Sequence, residues 1–250
     1  MAMLVDSHIH LARLPEPEAL AQHLHARNIR WTAVACEPWE WTKLTQIWEE
    51  LQRYGLTESC NLAFGIHPMV ASQVSDSEWR DLESFLLKYR SAQVGEAGLD
   101  KRFPGYEMGG IQESVFIQQA KMARELGRDL QIHCVGDYGR ILTILGSGRS
   151  IVSGSAAKPR PLFHRFGGDI GIAKRALEMG ALFSLHADTF KKKATAEAIK
   201  IIPKEYLRVE TDADESFVKL PALGKASPEQ WAEYLEKILL ENQAKINSIQ

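Results

Sequence analysis

Little in this chain would send it to a membrane, to nucleic acid by bulk charge, or into a disulfide framework. No apolar run reaches the roughly 20 residues that a bilayer-spanning helix needs, so a helical membrane protein is not expected. The 30 Lys and Arg nearly balance the 32 Asp and Glu, for a net charge of −2. Affinity for a polyanion would therefore have to come from a local patch or from bound metal. The three cysteines, Cys36, Cys60 and Cys134, are odd in number and form no Cys-x-x-Cys pair. That argues against disulfide stapling and against a cysteine zinc site. Met1 runs almost directly into a strand, leaving no room for a signal peptide, so a cytoplasmic setting is expected.

What is present is an alternation of short apolar strands and amphipathic helices, eight times over 250 residues. Strands are predicted at Leu4–His10, Trp31–Cys36, Asn61–His67, Gln93–Leu99, Leu130–Cys134, Pro161–Phe166, Ala181–His186 and Tyr206–Asp212. Helices follow from Pro15-Glu16, over Glu40–Tyr54, from a cap at Ser75 or Asp76, and over Gly109–Gly127, Tyr138–Leu145, Ile170–Gly180, Lys192–Ile202 and Pro228–Glu241. Gly55, Gly127 and Gly180 are placed to end helices, and Gly146–Lys158 reads as a loop insertion. Eight such units predict a single-domain α/β protein, a (β/α)8 barrel over residues 1–250. An open doubly wound sheet is the competing architecture, but no glycine-rich fingerprint follows the first strand.

Histidines and acids fall at the carboxyl ends of these strands, where a barrel collects its reactive groups. His8 and His10 are two apart and share a strand face, half of a first shell for a divalent cation. Asp6, on the same face, is placed to orient an imidazole. Glu96 stands between small residues with space to bridge two cations, although alone it would read as a solvated loop acid. His133 and His164 end the fifth and sixth strands, and alternation sends Cys134 toward the helices as a packed thiol. Asp212 closes the eighth strand as a ligand, a general base or a helix cap. Five strand ends bearing such groups in register form a metal site more readily than five coincidences.

The motifs Asp-Ser-His-Ile-His at 6–10, Gly-Ile-His-Pro at 65–68, Val-Gly-Glu-Ala-Gly-Leu-Asp at 94–100, Ile-His at 132–133, His164 and Glu-Thr-Asp at 210–212 resemble the TatD family of metal-dependent hydrolases. The resemblance implies an amidohydrolase-superfamily barrel, two divalent metals and hydrolysis of DNA phosphodiesters. It implies that His8 and His10 hold one metal, Glu96 bridges, His133 and His164 hold the second, and Asp212 binds the first while positioning or deprotonating water. His67 would contact the substrate phosphate. Departures lie in the loops. The arginine usual after the fifth-strand histidine is absent, with Arg140 the nearest candidate; Arg165-Phe166-Gly167-Gly168 replaces Cys-Phe-Ser/Thr-Gly; and Ala213-Asp214 replaces Ala-Pro.

His and carboxylate ligands suit Zn²⁺, Mn²⁺ or Mg²⁺, with His favouring the first two. Lys101, Arg102, Lys158, Arg160, Arg165 and Lys191-Lys192-Lys193 lie in loops on the metal face, and Lys101 and Arg165 are the candidate phosphate contacts beside His67. Trp39 and Trp41 are placed to stack on bases. The expectation is a phosphodiesterase acting on DNA or another phosphodiester, with no membrane and no obligate protein partner. Two alternatives stay open: a hydrolase of a small-molecule amide or ester, and a metal-retaining binding protein.

Overall fold

The computed structural model describes residues 3–147, 160–220 and 223–249, and among them eight parallel strands close into a barrel in sequence order. The first half runs β1 (Leu4–Ile9), α1 (Pro17–Ala26), β2 (Ile29–Ala35), α2 (Pro38–Arg53), β3 (Cys60–Phe64), α3 (Asp76–Lys88), β4 (Gln93–Asp100) and α4 (Ile111–Leu126). The second runs β5 (Leu130–Val135), α5 (Tyr138–Ser147), β6 (Pro161–Phe163), α6 (Ile170–Glu178), β7 (Leu182–Leu185), α7 (Lys193–Ile199), β8 (Leu207–Val209) and α8 (Pro228–Ile249). Lys158, with all but the first two residues of the 146–158 loop, lies outside the described residues.

Local sequence explains where the helices start and stop. Pro38 opens α2 behind a reciprocal cap between Glu37 and Glu40, and Ser75 with Glu78 does the same for α3. The three glycines expected to end helices have φ of 71° at Gly55, 66° at Gly127 and 72° at Gly180. Helices and strands share one apolar cluster that includes Trp31, Trp41, Phe64, Phe116 and Phe163. Trp41 is thus core, 1% exposed with its indole N–H on the Gly65 carbonyl at 3.0 Å, and cannot stack on a base. Trp39 is the exposed one, at 53%. Cys134 packs against the core as expected but is only half-buried and borders the central cavity.

The last strands are shorter than alternation predicts. β6 stops at Phe163 and β8 at Val209, because Arg165 (φ 42°) and Asp212 (φ 50°) adopt left-handed backbone that no strand continues. α8 runs eight residues past its expected end at Glu241 to Ile249. There Asn242 is buried, donating to the carbonyls of Leu185 and Glu210, and Ile246 joins the core. Tertiary packing, not helix propensity, sets that boundary.

Two irregularities position the site. The β1–β2 register slips between Asp6 and Ile9, and the β4–β5 register slips between Val94 and Ala97. His8 and Glu96 sit inside those slips, where a bulge re-aims side chains toward the barrel axis. Just beyond, β4 and β5 approach so closely that a Cβ on Gly98 would lie 1.9 Å from the His133 carbonyl oxygen. Gly98→Ala should therefore cost at least about 3 kcal/mol in denaturant unfolding. Gly55→Ala, with nothing within 4 Å of the added carbon, should cost only about 1–2 kcal/mol for its left-handed backbone. Equal losses at the two positions would contradict this packing.

Candidate metal centre

Hydrogen bonds orient three of the imidazoles of the centre, those of His8, His133 and His67. On β5, Gln131 donates through Nε2 to Gln93 Oε1 at 2.8 Å and to the Ser7 carbonyl at 3.2 Å. Its Oε1 is then the acceptor that faces His8 Nδ1 at 3.2 Å, so His8 carries its proton on Nδ1 and leaves Nε2 free. His133 donates Nε2–H to Asp100 Oδ2 at 2.8 Å, which leaves Nδ1 as the nitrogen turned toward Glu96. His164 Nδ1 lies 3.2 Å from Glu210 Oε1, off the line of a hydrogen bond, and its Nε2 turns to Glu96. His10 Nδ1 is buried without a hydrogen-bond partner, 4.0 Å from Glu40.

The two oxygens of Glu96 face different histidine pairs. Oε2 lies 3.5 Å from His8 Nε2 and 3.6 Å from His10 Nε2. The two nitrogens are 3.4 Å apart, and Asp212 Oδ1 completes the set at 3.8 and 3.6 Å from them. Donors about 2.0–2.1 Å from a tetrahedral zinc are about 3.4 Å apart, so this set has the span of a single cation. Oε1 lies 2.5 Å from His133 Nδ1 and 3.0 Å from His164 Nε2. The first of these is a hydrogen-bond separation, so an ion on that side needs Glu96 and His133 to part by several tenths of an ångström.

His67 approaches the same side, its Nε2 3.2 Å from His133 Nδ1. Its Nδ1 accepts from the Met69 backbone at 3.0 Å, so its proton is on Nε2 and it offers a donor, not a lone pair. Burial, and then the neighbouring His133, push its pKa down to about 3, so it stays neutral. Burial works against charge on His10, His133 and His164 too, but the surrounding carboxylates outweigh it and hold all three above the ordinary imidazole range. Burial likewise opposes ionisation of Glu96 and Asp212, and the histidines outweigh it and keep both far below the carboxylate range. The same field that retains protons here favours a divalent cation in their place, so metal affinity should rise with pH.

Above this floor opens a cavity of about 820 Å³. Its rim carries Arg13, Lys101, Arg102, Arg165, Lys191 and Lys192. Arg13 is tied to Glu37 and Glu40, Arg102 to Asp100, Arg165 to Asp212 and Asp188, and Lys191 to Asp188. Lys101 and Lys192 have no charged partner among the described residues.

All six ligand candidates, with His67, Arg165 and Lys101, thus border or lie beneath one cavity. Two supporting roles differ from expectation. Asp6 orients no imidazole: it accepts from the backbones of His8 and Thr211 and from the Thr211 hydroxyl, fixing β1 to the end of β8. Arg140 does not replace the missing arginine, because its guanidinium is spent on Glu113 and the carbonyls of Tyr106 and Glu107. Asp100 and Glu210 enter the sequence reading only as motif residues, without a role, and Gln131 does not enter it as a site residue. Gln131 shares a strand face with His133, and Asp100 with Glu96, so alternation contained that signal. Glu210 shares a face with Asp212 in the expected Tyr206–Asp212 strand, although β8 itself ends at Val209.

Fold and site together define a class, a (β/α)8 barrel with a buried histidine–carboxylate centre at the carboxyl ends of its strands. The sequence profile described as TatD related DNase matches residues 5–248, and the chain belongs to that family. It is 29% identical over 157 residues to a Mycobacterium tuberculosis protein named metal-dependent hydrolase TatD, covering 60% of this chain and 57% of that relative. Identity to a Cronobacter sakazakii protein named 3'-5' ssDNA/RNA exonuclease TatD is 25% over 159 residues, 62% of this chain and 58% of the other. These matches span less than two thirds of either relative. The crystal structure of a TatD family hydrolase from Entamoeba histolytica superposes with a TM-score of 0.69 at 15% identity, covering 99% of this chain and 96% of that one, a likeness of fold.

Gln131→Leu keeps the volume but removes the acceptor that holds the His8 tautomer, and should lower divalent metal affinity about 10–100-fold. Competition against a chromophoric chelator measures this, and unchanged affinity would contradict the tautomer assignment.

Proposed function

We propose that the chain is a metal-dependent phosphodiesterase, a deoxyribonuclease acting as an exonuclease on single strands. His8, His10, Glu96, His133, His164 and Asp212 would hold up to two divalent ions, Zn²⁺, Mn²⁺ or Mg²⁺. The observation that carries the reading is Glu96, a buried carboxylate whose two oxygens face two different histidine pairs. The relatives named as ssDNA/RNA exonucleases support a nucleic acid as substrate, and no described helix is long and apolar enough to cross a membrane.

When bound, such ions lower the pKa of a water and offset charge on a phosphoryl oxygen. The protein's own groups do the rest. Asp212 is held ionised, with Oδ1 toward His8 and His10 and Oδ2 on Arg165 at 2.8 Å. Occupied on both sides, it orients the attacking water, and that arrangement favours orientation over proton removal. His67, neutral and protonated on Nε2, donates to a phosphate oxygen. Lys101 and Arg165 bind backbone phosphates at the rim. Since few cations are free, affinity should fall only modestly with salt, by a log–log slope of about −0.7 per phosphate neutralised.

The test is nucleotide release from end-labelled single-stranded oligonucleotides with Mg²⁺, Mn²⁺ or Zn²⁺, with and without chelator. Asp212→Asn should cut turnover about 100-fold through lost orientation while retaining DNA binding. Glu96→Ala should lower turnover and metal content together, by at least about 10-fold. Metal-dependent cleavage of acyl esters or amides with no nucleotide release would replace this reading with the small-molecule one. An Asp212→Asn protein as active as the parent would trace the cleavage to a contaminant.

A further inference from the structure

A chain of ion pairs runs from the metal centre to the rim, and the reaction above does not need its outer half. Arg165 donates through Nη1 to Asp212 Oδ2 at 2.8 Å and through Nη2 to Asp188 Oδ2 at 2.7 Å. Lys191 donates to the other oxygen of Asp188 at 2.6 Å. Asp188 thus holds, on its two oxygens, cations from the loops after β6 and after β7. It lines the cavity and is 45% exposed. Ion pairs that exposed contribute little to stability, so stability alone gives little reason for the arrangement.

The root of Arg165 is fixed even so. Its backbone N–H donates to Glu210 Oε1 at 2.6 Å and its φ is 42°, a left-handed conformation costly for a side chain of this size. Arginine presents a fork of N–H donors that suits carboxylate and phosphate alike. Lys192, without a charged partner among the described residues, lines the same wall beside Gly167. Two cations are therefore gathered next to the metal centre on a small anionic group that belongs to the chain itself.

We propose that Arg165 and Lys191 form a second phosphate subsite, one step from the metal centre, and that Asp188 is its internal occupant, displaced when a substrate phosphate arrives. Arg165 keeps its bond to Asp212 through Nη1 and exchanges only the partner of Nη2. A substrate with one phosphodiester and no flanking phosphate gains nothing from this subsite. A polynucleotide, with a phosphate next to the scissile one, engages both. Asp188 then acts as a filter against lone anions. The identity of the molecule that carries the phosphate rests on the phosphodiesterase reading; the binding of phosphate does not.

Inorganic phosphate is titrated calorimetrically into the full chain, with and without chelator, so that binding at the cation pair is separated from binding at metal. Asp188→Asn should bind phosphate about tenfold tighter with chelator present, equivalent to about 1.4 kcal/mol. Adding Arg165→Met or, independently, Lys191→Met to Asp188→Asn should remove the gain. Asp214→Asn neutralises another cavity carboxylate that touches neither cation, and should stay within about twofold of the parent. An Asp188→Asn protein that binds no tighter, or equal gains from Asp188→Asn and Asp214→Asn, would overturn the subsite. In turnover, Asp188→Asn should lower KM for an oligonucleotide more than KM for bis-p-nitrophenyl phosphate. A chain that hydrolyses neither substrate would sink the phosphodiesterase reading, while the calorimetry would still decide the subsite.

Discussion

Glu96 is the constraint around which the rest is arranged. A carboxylate buried inside a barrel costs several kcal/mol unless opposite charge surrounds it, and here four imidazole nitrogens lie within 3.6 Å of its two oxygens. It reaches the axis only because β4 slips register between Val94 and Ala97, and His8 reaches it from a matching slip in β1. Next to the slip in β4 the strands lie so close that a side chain at Gly98 has no room. Fold and centre are coupled through backbone geometry as much as through the ligands.

Around Glu96 stands a layer of groups whose work is to hold imidazoles in one state. Gln131 fixes His8, Asp100 fixes His133, and Met69 with Pro68 fixes the His67 turn. Asp6 ties β1 to the far end of the sheet, so that His8 and Asp212 keep their spacing when the barrel closes. The result is a floor of ionised carboxylates and histidines that trade protons for a cation. It lies beneath a rim whose positive charges are mostly neutralised within the chain. A net charge of −2 is therefore compatible with an anionic substrate: attraction is concentrated at the floor and at a few rim positions.

How much of this was legible depended on whether periodicity or tertiary contact decided the matter. Eight strand–helix units and the six ligand candidates follow from alternation and residue type, because parallel strands buried on both faces leave a strong apolar signal. Gln131 and Asp100 were equally accessible, since each shares a strand face with a named residue. Asp6 could not be placed correctly, because its partner Thr211 is 205 residues away in sequence. Left-handed backbone at Arg165 and Asp212 has the same origin: Asp tolerates it better than Arg, but at both positions the surrounding network imposes it. Trp41 is core because it and Glu40 lie on the inward side of α2 while Trp39 in the same turn faces out, a fact of packing that strand position does not reveal.

The central proposal is that the two oxygens of Glu96 serve two ion positions, one beside His8, His10 and Asp212 and the other beside His133 and His164. Anomalous diffraction at a metal absorption edge, from crystals of the full chain soaked in Zn²⁺ or Mn²⁺, tests it most directly. The account predicts two peaks on opposite sides of the Glu96 carboxylate, the one beside His8 and His10 filling at lower metal concentration because its donors already have a cation's spacing. Metal-replete crystals with no peak within coordination distance of His8 and His10, or with ions bound only at sites remote from Glu96, would contradict it.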